Sequence, residues 1–247
     1  GLQQNLKNYQ DSGIPVAVYS NRHLYGAGYS FNKLFPPGGE YTSLTVDNFL
    51  KENGGKDKFD AYMLNLGWSR NTLNSSYFPT KGVNGSLTGK VAVPGSTLTW
   101  YQASLNGSWF HPITSYFTLN FRGNIKYGDG YGKTKHFPFF RNYYAGGWGT
   151  IRGYADSDLG PHDSLCKSVA PDGTSCTPSK DATIGNAIGG NLLVSASMNI
   201  FFPVPFALDN DNMRLSAFVD AGNVYDTYKL PYAYEKNMPT SPTFNNL

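Results

Sequence analysis

The chain has 247 residues, a net charge of +3 and a mean hydropathy of −0.39. Charged residues are 15% of it, against a usual share of about a quarter, and the Lys and Arg are scattered, so neither nucleic acid nor another strongly acidic partner is indicated. No apolar run approaches the ~20 residues of a spanning helix; a membrane β-barrel stays open, because alternating strands average to a polar score.

The length suits one large domain or two small ones, and no boundary, repeat or low-complexity tract divides residues 1–247, so a single domain is expected. The opening "GLQQNLKNYQ" is polar and holds no signal peptide, which reads as a removed signal or an internal fragment. "SNRH" (20–23) reads as a short connection. Segment 36–57 is a long polar loop. Within it, "SLTVDNFLKEN" (43–53) predicts a short helix, capped by Ser43 or Thr45 and ended by Gly54 and Gly55.

From there the period is two, not 3.6. Tyr62, Leu64, Leu66 and Trp68 share a face opposite Asn65, Gly67 and Ser69. Val83, Leu87, Val91 and Val93 oppose Asn84, Ser86, Thr88 and Lys90. Tyr101, Ala103, Leu105 and Trp109 oppose Gln102, Ser104, Asn106 and Ser108. After "PITS" (112–115), Phe117, Leu119, Phe121, Ile125 and Tyr127 oppose Thr118, Asn120, Arg122, Asn124 and Lys126. Late in the chain Leu192, Val194, Ala196, Met198, Ile200 and Phe202 oppose Ser195, Ser197 and Asn199. Leu215, Ala217, Val219 and Ala221 oppose Arg214, Ser216 and Asp220.

Soluble strands are usually about 5–6 residues long; these alternations approach the length of tilted membrane strands. A sheet with one apolar and one wet face fits a sandwich that is wet outside or a lipid-embedded barrel that is wet inside. Aromatics near strand ends, such as Tyr101 and Trp109, favour the barrel through its interfacial girdle. Long polar segments at 129–137 and 155–186 alternate with short turns, again as in outer-membrane barrels. The expected fold is therefore all-β, an incomplete transmembrane antiparallel barrel. Roughly nine strands are legible, an odd number where single-chain bacterial barrels are even, so the sheet reads as incomplete.

Enzyme motifs are weak. "GDGYGKT" (128–134) misses the phosphate-loop spacing by one residue, and "GGWGTIRG" (146–153) lacks the dinucleotide glycine order. His23, His111, His136 and His162 hold no ligand spacing, and no nucleophile elbow occurs. Cys166 and Cys176 lie ten residues apart in a polar loop, which leans towards a disulfide and an oxidising compartment; a zinc site would need two more ligands. No catalytic residue, metal or cofactor is expected.

Arg152 stands apart, in "YYAGGWGTIRGYADSDLGP" (143–161). A guanidinium is always charged and is costly to bury alone. Gly146, Gly147, Gly149 and Gly153 allow tight backbone approach, and Trp148 and Tyr154 supply packing. Asp220, on the wet face of its strand, is the natural acceptor.

"AGGWGTIRGY" followed by "LGP" resembles the signature of the BamA family of outer-membrane β-barrel assembly factors. "SSYFPTKG" (75–82), "LTGKVAVPG" (87–95) and "FVDAGNVYD" (218–226) are similar to further segments of that family. The resemblance implies that Ile151, Arg152, Gly153 and Tyr154 are the motif of the sixth extracellular loop, folded into the lumen. It implies that Asp220 is the motif's partner on the wall and that Cys166 and Cys176 are the loop's disulfide pair. Asn199 stands where the family often carries Glu, so Arg152 should lean more on Asp220. Also implied is a barrel of roughly sixteen strands, of which this chain supplies about the fifth to the thirteenth. The POTRA domains, the terminal strands and their gate would lie elsewhere. Outer-membrane lipid, unfolded barrel clients, accessory lipoproteins of the BAM complex and periplasmic chaperones are the implied partners. Rival readings are a TamA-like factor or two-partner secretion transporter, a passive porin, an outer-membrane enzyme and a soluble sandwich.

Overall fold

The computed structural model describes residues 20–34, 42–167, 183–204 and 213–228. Seven long antiparallel strands build one sheet: β1 (Ser20–Lys33), β3 (Lys58–Asn71), β4 (Gly82–Ala92), β5 (Trp100–Pro112), β6 (Thr118–Gly130), β9 (Leu192–Pro203) and β10 (Arg214–Tyr225). Their order follows the chain, interrupted twice: β2 falls between β1 and β3, and β7 and β8 fall between β6 and β9. A second sheet joins β2 (Thr42–Ser43), β7 (His162–Cys166) and β8 (Thr183–Ala187). Helix α1 (Leu44–Glu52) lies in the connection between β2 and β3.

The faces sort as alternation demands. Leu64, Leu66, Leu87, Leu105, Phe121 and Ile125 are exposed on one face. Ser104, Asn120, Ser195, Ser197 and Asn199 are buried on the other. An apolar face left open, with polar side chains covered, is the inverse of a soluble sandwich. Register reinforces the pattern: Trp109 pairs with Phe121, which pairs with Met198, forming an unbroken apolar row. Tyr101 and Trp109, eight residues apart on β5, stand about 26 Å apart along the strand. At a tilt of about 40° that is about 20 Å of height, close to the ~25 Å apolar band of such barrels. Among the described residues no helix is long and apolar enough to cross a membrane.

"SNRH" proves to be the start of β1, where His23 pairs with Trp68, and not a connection. Its polar residues suit a strand end near the headgroups. The helix forms where expected. The Ser43 side chain, not that of Thr45, accepts from the Val46 amide at 3.1 Å. Thr45 instead donates to Asp163 Oδ1 on β7 at 2.8 Å, which ties α1 to the small sheet.

Short connections 72–81 and 113–117 lie at one rim, where β9 ends and β10 begins. At the other rim stand 93–99 and the described parts of the long connections, 42–57, 131–167 and 183–191. That rim is capped by an apolar dome of Phe49, Phe59, Trp100 and Phe137, with Phe139 and Phe140 packed against it. Phe49 meets Phe59, Phe139 and Phe140 edge-on or nearly so. Below the dome the chain enters the polar face.

Candidate functional site

Residues 143–161 descend along the inner face in a bent loop. Its backbone is pinned twice: Tyr143 and Gly190 exchange amide hydrogen bonds, and the Leu159 amide donates to the Ala145 carbonyl. At the bend the Gly146 amide donates to Thr150 Oγ1 at 2.8 Å. Gly146 adopts φ +112, and a Cβ there would run into the Ala155 carbonyl, so only glycine permits the turn. Gly160, at φ +104, lets the returning strand pass against Val224 of β10.

Ile151 anchors the loop. It is 2% exposed, in a small core with Ala145, Leu159, Leu193 and Val224, flanked by Tyr143 and Tyr154. Tyr154 thus packs as expected, but Trp148 does not. It is 83% exposed and makes no packing contact with the loop's small core. Gly153, at φ +93, carries the chain away after Arg152.

Burying Ile151 delivers the next side chain to the wall. Arg152 Nε donates to Asp220 Oδ2 at 2.6 Å and Nη2 donates to Oδ1 at 2.6 Å, a two-pronged fork on one carboxylate. The Arg152 backbone amide adds a third bond to Oδ2 at 3.0 Å. Nη2 also donates to Asn199 Oδ1 at 2.8 Å and Ser197 Oγ at 2.9 Å. The guanidinium carbon lies 3.5 Å from the centre of the Phe218 ring. Asn199 in turn donates to Asn120 Oδ1 at 3.2 Å, so the shell extends across β9 to β6. The Asp220 side chain is 3% exposed and that of Arg152 16%. The Asp220 hydrogen bonds push the guanidinium above its ordinary value, so no working pH discharges it.

The structure thus brings together Arg152, Asp220 and Asn199, with Ile151 and Tyr154 packed beside them. Sequence reasoning placed Ser197 on the wet face without assigning it to the guanidinium, and passed over Phe218 entirely. The signal for Phe218 was present: it is an aromatic on the polar-face parity of β10, two residues before Asp220. Cys166 is wholly buried on β7, and Cys176 lies outside the described residues. His162 sits against Asp158 and the Gly160 carbonyl. Among the described residues no cluster of His, Cys, Asp or Glu could hold a metal ion.

An antiparallel wall with an apolar exterior, a polar interior and a loop docked inside it by an Arg–Asp fork defines an outer-membrane β-barrel with a lumenal loop. Residues 9–238 match the Omp85 superfamily domain. The chain belongs to the Omp85 superfamily, proteins of the Gram-negative outer membrane. It is 36% identical over 187 residues to the outer membrane protein assembly factor BamA of Neisseria meningitidis serogroup B, covering 72% of this chain and 21% of the relative. The chain therefore spans about a fifth of that relative's length. The fold matches the crystal structure of BamA from Haemophilus ducreyi lacking POTRA domains 1–3. The TM-score is 0.71 and the identity 32%, over 84% of this chain and 39% of the other.

Proposed function

We propose that this chain is the central wall of a barrel that assembles other β-barrel proteins in the outer membrane. Its substrates are unfolded outer-membrane clients, and its work is physical rather than covalent. A barrel of this kind distorts the bilayer and presents strand edges with unpaired backbone groups; together these lower the barrier for a client strand to pair and enter. POTRA domains and the remaining wall strands belong to this reading as further parts of the same protein. So do accessory lipoproteins and periplasmic chaperones as partners. Likeness to BamA supports it over the TamA-like, two-partner secretion and porin alternatives.

The observation that carries it is the five-bond seat of Arg152 on Asp220, Asn199 and Ser197, which ties the long loop to two wall strands. In this role Arg152 holds the wall in shape while the edge elsewhere opens. The same reading pairs Cys166 with Cys176 as a staple within that loop. The test is client assembly by the full-length protein in proteoliposomes. Arg152→Ala should slow assembly and lower heat stability together. A variant that assembles clients at the normal rate with unchanged heat stability refutes the role.

A further inference from the structure

The wall strands turn Arg22, Lys90, Arg122, Lys126 and Arg214 towards the inner face, against one carboxylate, Asp220. That carboxylate is consumed by Arg152. Arg214 is engaged at the short-turn rim, where it lies over Phe78. Among the described residues the middle of the wall is therefore cationic and unneutralised. No described carboxylate pairs with Lys90, Arg122 or Lys126. Lys126 has only the Tyr143 ring, 5.8 Å away.

At the top of this tract hangs Arg141, beneath the dome. Its Nη2 donates to Ser30 at 2.6 Å and its guanidinium lies 5.1 Å from the Trp100 ring. Its Nε is buried with no acceptor. Lys90 pairs with Gln102, two residues along β5 from Trp100. Lys126 and Arg122 follow on β6, four residues apart on one face, about 13 Å along the strand.

Acceptors accompany the cations. Asn124 lies between Arg122 and Lys126, and Asn65 pairs directly with Lys90. The Oδ1 atom of each is buried and receives no donor. Leaving such an oxygen unpaired in a buried setting is unfavourable. A ligand that satisfied this surface would bring anions for the cations and N–H donors for the amides. Phosphates bring only the first. An extended polypeptide with carboxylates brings both, and acidic residues four apart in an extended chain repeat at about the same 13 Å.

We propose that the tract from Arg141 through Lys90 and Lys126 to Arg122 is a binding surface for an extended acidic polypeptide segment inside the lumen. The inference goes beyond the assembly reading and does not rest on it, since it concerns the inner wall and not the edge. The probe is a labelled peptide with Glu at every fourth position, compared with the same peptide carrying Lys at those positions. Binding is read by fluorescence anisotropy on the full-length protein in nanodiscs at low salt. The acidic peptide should bind and the basic one should not. Binding should fade once salt shortens screening to a few Å, near 1 M. Lys90→Glu with Lys126→Glu should weaken the acidic peptide by about tenfold or more and admit the basic one. Should that pair fail to fold, judged by heat-modifiable mobility, Lys90→Gln with Lys126→Gln should give the same loss without the gain. The proposal is overturned if the acidic peptide does not bind, if both peptides bind alike, or if the folded variant binds as the wild type does. It is overturned equally if tripolyphosphate binds as tightly as the peptide and displaces it, which would mark a simple anion site.

Discussion

Removing the Arg152 side chain should release the loop from the wall. Arg152→Ala deletes four hydrogen bonds and a ring contact, and leaves Asp220, 3% exposed, with only the Arg152 amide at 3.0 Å among its Arg152 bonds. Breaking one partner of a buried ion pair costs about 3–5 kcal/mol, because the other charge stays buried and uncompensated. At about 1.4 kcal/mol per tenfold, that raises the open population of the loop by more than a hundredfold. Hydrogen exchange of the amides between Ala145 and Leu159 reads this directly, with thermal unfolding in the same detergent as a second measure. The paired replacement Arg152→Met with Asp220→Leu should recover much of the loss, since no charge remains unpaired. A loss below about 1 kcal/mol for Arg152→Ala, the range of an exposed pair, would refute the reasoning.

Gly146→Ala should undock the same loop without touching a charge, since its Cβ meets the Ala155 carbonyl at positive φ; exchange faster between 145 and 159, with the sheet unaffected, is the expected pattern. Asp163→Ala removes the acceptor that holds Thr45 at 2.8 Å, so it should cost about 1 kcal/mol of local stability and expose α1 to protease before the wall yields. Asp226 lies just past β10, and burial raises its carboxyl above the ordinary value. The fold therefore favours its neutral form: stability is fully present below the unfolded value and is lost as pH rises through the window up to the raised one. Asp226→Asn should remove that part of the pH dependence, seen as a smaller drop in Tm between pH 4 and pH 7.

The sheet was legible because its chemistry is repetitive. In β5 and β6 every second residue must meet hydrocarbon, so Leu105, Trp109, Phe121 and Ile125 announce a face by themselves. Arg152 and Asp220 were legible for a different reason: each is a lone charge in a setting that cannot tolerate one. The dome was not legible. Phe49, Phe139 and Phe140 come from two connections with no period, and only the folded rim brings their rings within 5–6 Å. Strands β7 and β8, five residues each in a polar segment, draw their pairing from one another and from β2, which no local pattern records. The start of β1 was read as a connection because Asn21, Arg22 and His23 look like turn residues until their partners on β3 are known.

The wall faces hydrocarbon on its outside and water on its inside. Nitroxide labels placed singly from Leu119 to Ile125 on β6, in the full-length protein in lipid vesicles, test this most directly. Collision with oxygen should peak at 119, 121, 123 and 125, and collision with a water-soluble nickel chelate at 122 and 124, with 120 shielded beneath the docked loop. An absence of alternation, or the opposite phase, would contradict it.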